Sequence, residues 1–201
     1  MPLTTKSPQR SNAERTGSTR AALLDAALAL FVERGYGATS TPDICAAAGM
    51  TRGALYHHFT DKQDLFRAVV TREAQAVALA IVEATSGGDL PARDALLNGV
   101  TAYLDAMQVG GRTRLLLIEA PAALGRAEAD ALDASFAGVT LHDGLVAALR
   151  RDRRFTTALA ALLSAAFDRA ALDIELGAHP QATRKAMRWL IERVVATDSL
   201  A

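Results

Sequence analysis

Only one cysteine, Cys45, stands in the 201 residues. A disulfide within the chain is therefore excluded, and a reducing compartment fits. No base or cation neighbours Cys45 in sequence to make its thiol reactive, so it reads as a packing residue on a short helix. Net charge is also missing: 22 Lys and Arg balance 22 Asp and Glu, and no global attraction to a polyanion follows. No apolar run approaches the length of a membrane span, and the start lacks an apolar signal segment, which predicts a soluble cytoplasmic chain with no membrane partner. HExxH, nucleophile-elbow, glycine-rich phosphate-loop and Cys/His metal spacings are all absent. No enzyme, metal or cofactor is therefore expected. Strand signals and repeats of fixed period are missing as well, so the fold class is all-α.

What is present centres on Thr39 to Lys62. Thr41-Pro42 reads as a helix start, with the hydroxyl capping and the proline where no N–H is needed. That helix passes through Ile44, Ala47 and Ala48 and stops at Gly49, which takes the left-handed conformation freely. Thr51 then caps a second short helix, Arg52 to His58, with Leu55 and Phe59 four apart on one face. Two short helices joined at a glycine form the helix-turn-helix plan, whose second helix can enter a DNA major groove. Its outward side carries Arg52, Gly53, Tyr56 and His57, with His58 further round, and no acid occurs from Ile44 through Thr60. Arginine bonds guanine O6 and N7 bidentately, tyrosine and histidine donors suit phosphate oxygens, and a glycine permits close backbone approach. An ordinary surface hairpin of helices with two solvated histidines is the alternative on these residues alone. Residues 1–60 hold six basic against four acidic side chains, a balance of the right sign for DNA but too small to argue alone.

Residues Thr19 to Phe66 resemble the DNA-binding domain of the tetracycline-repressor (TetR/AcrR) family of transcriptional regulators. The resemblance lies in Ile44-Cys-Ala-Ala-Ala-Gly-Met-Thr-Arg-Gly-Ala-Leu-Tyr-His-His-Phe59, in Asp61-Lys62 and Leu65-Phe66, and upstream in Leu24 to Phe31 and Gly35 to Ser40. Cys45 and Met50 depart from the family's usual alanine and β-branched residue. The resemblance implies a three-helix DNA-binding domain backed by the first helix, with Thr39, Thr41, Thr51, Arg52, Gly53, Tyr56, His57 and Lys62 as DNA-binding candidates. The rest of the chain matches in general helical plan.

Before this domain, residues 1–17 are rich in Ser, Thr, Pro and Arg and read as a disordered tail; Arg10, Arg15 and Arg20 are candidate basic-arm residues. Thr19 is the expected cap of the first long helix, whose Leu24, Ala27, Leu28 and Phe31 make one buried face ending at Gly35. The expected domains are thus a tail over 1–17, a helix-turn-helix domain over 18–62 and a helical ligand-binding and dimerisation domain over 63–201. Asp61 caps a long connecting helix, about 62–85, with Asp64 as a variant capping box. Lys62 in its first turn opposes the helix dipole, and a DNA phosphate there would relieve the conflict. Beyond Ser86-Gly-Gly-Asp89 follow expected helices over Pro91–Gln108, from Arg112 to about Leu124 with a break at Pro121, then one long helix to about Arg151, and finally Phe155–Leu176 and Gln181–Ala196.

The helix from Ala158 is apolar on more than one face, and Trp189 lies off the stripe of Met187, Leu190, Ile191, Val194 and Val195. By the resemblance, the last two helices pair into a homodimer, with Leu163, Ala166, Ala170 and Trp189 as interface candidates, so that two heads meet successive grooves of a pseudo-palindromic double-stranded DNA operator. The resemblance also implies a small-molecule effector inside the C-terminal helices. Tyr103, Met107, Glu119, Phe136, His142 and Phe167 are the candidate ligand-binding residues, each with core packing or a solvated flank as the alternative. The surrounding Ala and Leu suggest an apolar or amphipathic ligand that releases a repressor from DNA. A ligand-independent architectural DNA binder and a helical enzyme are the competing functions.

Overall fold

The computed structural model describes residues 12–88, 90–149 and 151–196, and their regular elements are all helical. Two compact units divide the chain at Val69/Val70. This lies beyond the expected boundary at 62/63, because Leu65, Phe66 and Val69 are buried with the N-terminal helices.

The first unit contains α1 (Asn12–Ala38), α2 (Thr41–Ala48), α3 (Arg52–His58) and the first turns of α4 (Lys62–Thr85). Residues 1–11 of the expected tail, Arg10 among them, lie outside the described residues. From Asn12 the backbone is already helical, so the start expected at Thr19 comes too late. Ala13, Glu14 and Arg15 are good helix formers, and the single Gly17 costs the run only about 1 kcal/mol. Gly35 breaks α1 with a positive φ of 81°, and the chain bends there before its last helical residues. Phe31 and Phe66 meet edge to face at 5.0 Å, with Tyr36 tilted against Phe66 at 4.7 Å. These rings join α1 to α4, while Ile44, Cys45, Leu55 and Phe59 close the core from α2 and α3.

The second unit contains the rest of α4, then α5 (Ala92–Met107), α6 (Arg112–Arg114), a π-helical turn (Leu115–Glu119), α7 (Ala120–Leu124), α8 (Arg126–Ser135), α9 (Ala137–Ala148), α10 (Arg153–Glu175) and α11 (Pro180–Ala196). Leu97, Leu104, Leu145, Leu163, Phe167 and Ile191 are among the buried side chains that pack α5, α9, α10 and α11 together. The break expected at Pro121 takes the form of the π turn just before it. Proline has no N–H for the carbonyl four residues back and crowds it, and widening the turn by one residue accommodates both effects. The single helix expected up to Arg151 is instead two, split at Phe136, whose φ of −122° and ψ of −92° leave the helical region. Gly138 permits this tight junction: a Cβ there would meet the Asp133 carbonyl oxygen at 3.1 Å. Asp152 caps α10, accepting from the amides of Arg154 at 3.0 Å and Phe155 at 3.1 Å.

Contrary to the reading of the sequence, α10 is long and apolar enough by length and composition to cross a membrane, with a mean hydropathy of 1.3 over 18 residues. Alanine and leucine produce that value. Seven residues of the same helix, Phe167 and Ile174 included, are buried within the unit, so one face of it packs into the core.

Candidate nucleic-acid interface and C-terminal cavity

The start of α2 is fixed by Ser40, not Thr41. The Ser40 hydroxyl oxygen accepts from the Asp43 amide at 3.3 Å while Asp43 Oδ2 accepts from the Ser40 amide at 3.2 Å, a reciprocal capping box. The Ser40 hydroxyl also donates to Asp43 Oδ2, and this bond, followed by that from the Ser40 amide, holds the Asp43 carboxyl below its ordinary pKa. Thr41 is thereby left on the outer face, its Oγ1 3.4 Å from the Tyr56 hydroxyl of α3. Gly49 ends α2 in the left-handed region, with φ 65°. Thr51 then caps α3, accepting from the Ala54 amide at 3.2 Å. Leu55 and Phe59 are buried beneath α3, so the helix turns Arg52, Gly53, Tyr56 and His57 outward, all exposed.

Six of the eight DNA-binding candidates, Thr41, Thr51, Arg52, Gly53, Tyr56 and His57, therefore belong to one α2–α3 surface. The Arg52 guanidinium lies 5.9 Å from the Tyr56 ring centre. Hydrogen bonds from Thr41 and then Arg52 lower the Tyr56 pKa. Arg20 reaches the same region from α1, 5.2 Å over the Phe59 ring. Burial, followed by the charges of His57 and Arg20, lowers the His58 pKa and favours its neutral form.

Thr39 and Lys62 do not join this surface. Thr39 is 1% exposed, and its hydroxyl donates to the carbonyls of Gly35 at 2.9 Å and Leu30 at 3.2 Å. Lys62 Nζ donates to the carbonyls of Tyr36 at 2.9 Å and Thr39 at 3.0 Å, and lies 4.0 Å over the Tyr36 ring. Its charge is engaged by carbonyls and a ring face where α1 bends and ends, inside the unit and without a phosphate.

In the second unit, a cavity of about 350 Å³ is lined by apolar side chains such as Leu96, Val100, Leu141, Phe167 and Ile191. Its size is that of a small-ligand site. Of the ligand candidates, Tyr103 and Phe167 line it, with ring centres 5.4 Å apart. The other four do not. Met107 is core, Glu119 pairs with Arg114 at 2.9 Å, and Phe136 occupies the α8–α9 junction. His142 lies on a flank, its Nδ1 3.2 Å from Asp143 and its Nε2 3.5 Å from Thr157. Sequence reasoning missed Thr140, Asp143 and Ser164, which also line the cavity. Helical spacing held the signal for one of them: Ser164 lies three residues before Phe167, on the same face.

A second cavity of about 260 Å³, lined by Leu116, Leu117, Asp133 and Asp168 among others, lies in the same unit. The Tyr103 hydroxyl donates to Asp168 at 2.8 Å and the Ser164 hydroxyl to Asp133 at 2.8 Å. Burial raises the pKa of both carboxyls, that of Asp168 to about 6, and raises that of Tyr103.

Of the dimer candidates, Leu163 and Ala170 face the unit's own core, each 4% exposed. The apolar surface of α10 is displaced by one position: Leu162 is 71% exposed, and Phe155 is also exposed. Ala166 is half-buried, and Trp189 on α11 is 56% exposed.

Residues 23–69 match the family model described as "Bacterial regulatory proteins, tetR family". The chain is 49% identical over 57 residues to the HTH-type transcriptional regulator AcrR of Shigella flexneri, spanning 28% of this chain and 26% of that protein. It is 44% identical over 64 residues to the HTH-type transcriptional repressor BepR of Brucella suis, spanning 32% and 30%. The chain thus spans less than a third of the length of these curated relatives. A TetR-family regulator from Pectobacterium atrosepticum superimposes with a TM-score of 0.68 at 27% identity, covering 94% of this chain and 97% of that one. One from Streptomyces coelicolor gives 0.73 at 22% identity, covering 91% and 97%, a likeness of fold. Residues 23–69 thus match the DNA-binding segment of the TetR family of bacterial regulatory proteins, and the chain as a whole shares the fold of TetR-family regulators.

Proposed function

We propose that the chain is a sequence-specific, DNA-binding transcriptional repressor of the cytoplasm, acting as a homodimer on a pseudo-palindromic operator and released by a small apolar or amphipathic effector. The observation that carries the DNA reading is the exposed face of α3. Capped by Thr51 and seated on Leu55 and Phe59, it presents Arg52, Gly53, Tyr56 and His57 together. A short helix so held is suited to a major groove, with Arg52 reading a base and Tyr56 and His57 positioning on phosphates. The regulator and repressor among its relatives support the same assignment, and the match of residues 23–69 to the family model favours a regulator over an enzyme.

The cavity favours an effector-responsive protein over a purely architectural binder. Ile81, Val82 and Thr85 at the end of α4 line it, and α4 begins at Lys62 in the DNA-binding unit. One helix therefore touches both the effector's site and the head. An effector weakens operator binding only if it prefers the DNA-incompetent arrangement, and a coupling of about 1–3 kcal/mol lowers affinity roughly 5- to 150-fold. Dimerisation is supported by the outward apolar residues of α10 and α11, Phe155, Leu162 and Trp189.

Selection of bound DNA from a random pool tests the proposal directly. Enrichment of two half-sites related by two-fold symmetry is expected, with centres about 34–36 Å or a multiple apart. Recovery of unenriched sequence would reject sequence-specific binding.

A further inference from the structure

The polar side chains of the larger cavity share an unusual property: their protons are already engaged. Four hydroxyl-bearing side chains line it, those of Thr85, Tyr103, Thr140 and Ser164. Thr85 donates to the Ile81 carbonyl at 2.9 Å and Thr140 to the Ala137 carbonyl at 2.7 Å. Tyr103 donates to Asp168 and Ser164 to Asp133, each at 2.8 Å. A hydroxyl has one proton, so each of these groups offers an incoming molecule only oxygen lone pairs. Among the described residues of the lining, the one charged side chain is also an acceptor: Asp143, which is 74% exposed and so lies at the rim. Among the described residues lining the cavity, none is Lys, Arg or His. The nearby arginines are otherwise engaged. Arg126 and Arg169 line the second cavity and pair with Asp130 at 2.8 Å and Asp173 at 2.7 Å, while His142, on the flank, has its Nδ1 3.2 Å from Asp143.

We infer that this cavity selects an organic amine: a protonated nitrogen on a compact apolar body, with carboxylate-bearing molecules of the same shape rejected. A carboxylate would bring acceptors to a wall of acceptors and lose its water without replacement. An ammonium meets hydroxyl oxygens whose own protons point to backbone carbonyls (Thr85, Thr140) or to carboxylates (Tyr103, Ser164), an arrangement that increases the negative charge on those oxygens. The aromatic pair Tyr103–Phe167 adds ring faces that attract a cation. Leu96, Val100, Leu141 and Ile191 enclose the body. The inference rests on the proposed effector role of the cavity only for its regulatory consequence. The chemistry of binding stands on the lining itself.

Three probes of one shape separate the end groups: phenylbutylamine, phenylbutanol and phenylbutanoate, titrated calorimetrically into the full-length protein at neutral pH. The amine is expected to bind tightest, the alcohol next, and the acid weaker than the amine by about tenfold or more, the ratio given by one charge-assisted contact. Asp143→Asn narrows the gap between amine and alcohol and leaves the alcohol's affinity unchanged. Position is checked with Gly99. A Cβ there would sit in ordinary contact, 3.5 Å from Thr85 Cγ2 and 3.7 Å from Ile81 Cγ2, so Gly99→Ala is tolerated whereas Gly99→Leu fills the cavity and weakens all binding. Preference for the acid, or no binding by any of the three, overturns the inference; a preference for acid would point to backbone amides at the start of α9. Operator affinity, measured separately with each probe, distinguishes the two readings. Amine binding with unchanged operator affinity retains the cavity's selectivity and rejects its effector role, and release by the acid alone does the reverse.

Discussion

Arg112 and Glu73 form a buried ion pair in which both Nε and Nη2 of the arginine reach Glu73 Oε2 at 2.9 Å. The third guanidinium nitrogen, Nη1, donates to the Ala106 carbonyl at 2.7 Å. Glu73 is 8% exposed, so the pair joins α4, α6 and the end of α5 with little water present. Removing one partner leaves the other charge buried and uncompensated, at a cost of about 3–5 kcal/mol. Glu73→Ala is expected to lower stability by that amount in urea unfolding, while Glu73→Met with Arg112→Met recovers much of the loss. A double variant no better than the single one would assign the effect to lost packing.

The engagement of Lys62 with Tyr36 and Thr39 makes an equally specific prediction. A lysine on DNA phosphate contributes about one unit to the salt dependence of binding. Lys62→Met is expected to leave the slope of operator affinity against salt unchanged and to destabilise the N-terminal unit, since charged hydrogen bonds to carbonyls contribute about 1.5–3 kcal/mol each. A slope reduced by one unit, with stability intact, would return Lys62 to the DNA surface.

Local patterns made the helix-turn-helix readable before any coordinates. Gly49, the Thr51 cap and the four-residue spacing of Leu55 and Phe59 each act over a single turn. Thr39 and Lys62 lie off the α2–α3 surface because the Thr39 hydroxyl reaches back nine residues to Leu30 and the Lys62 ammonium 26 residues to Tyr36, beyond the reach of helical periodicity. Leu163 and Leu162 show a different limit. Both are apolar, and on a helix rich in Ala and Leu the phase of the stripe is blurred, so only packing decides which of the two turns inward. Thr140, Asp143 and Ser164 were missed because a cavity depends on where several helices leave space, which is not a property of any one of them.

The displacement by one residue on α10 separates two roles. Leu162→Glu is expected to weaken self-association, seen by light scattering, and operator binding with it, at nearly unchanged protomer stability. Leu163→Ala, inside the core, is expected to cost about 2–5 kcal/mol of stability. A Leu162→Glu protein that remains dimeric would move the interface off this face of α10.

On α3, Arg52→Ala is expected to cost about 1–3 kcal/mol of operator affinity and to relax preference at one base position. Tyr56→Phe, which removes a hydroxyl suited to phosphate, is expected to weaken all sequences alike. Competition binding against single-base operator variants distinguishes these outcomes, and an Arg52→Ala protein with undiminished preference would remove Arg52 from base reading.

Asp168 links the cavity wall to pH. Burial raises its pKa from 3.8 to about 6, the Tyr103 hydroxyl partly offsets this, and Asp133 adds to it. Asp130 and Arg126 on α8 act on it with opposite signs, while Arg169, next to it on α10, is held by Asp173. Between these two pKa values the folded protein retains a proton that the unfolded chain has released. The unfolded state then binds fewer protons, so stability falls as pH rises across the interval of about 4 to 6 and levels off above it. Asp133, raised in the same direction by burial, contributes a slope of the same sign. Asp168→Asn keeps a carbonyl to accept from Tyr103 and removes the titration. Urea unfolding at a series of pH values is therefore expected to show the variant gaining on the natural protein as pH increases from about 4 to 6, with a constant difference above that range. A difference independent of pH would mean that Asp168 is as well solvated in the folded protein as in the unfolded chain.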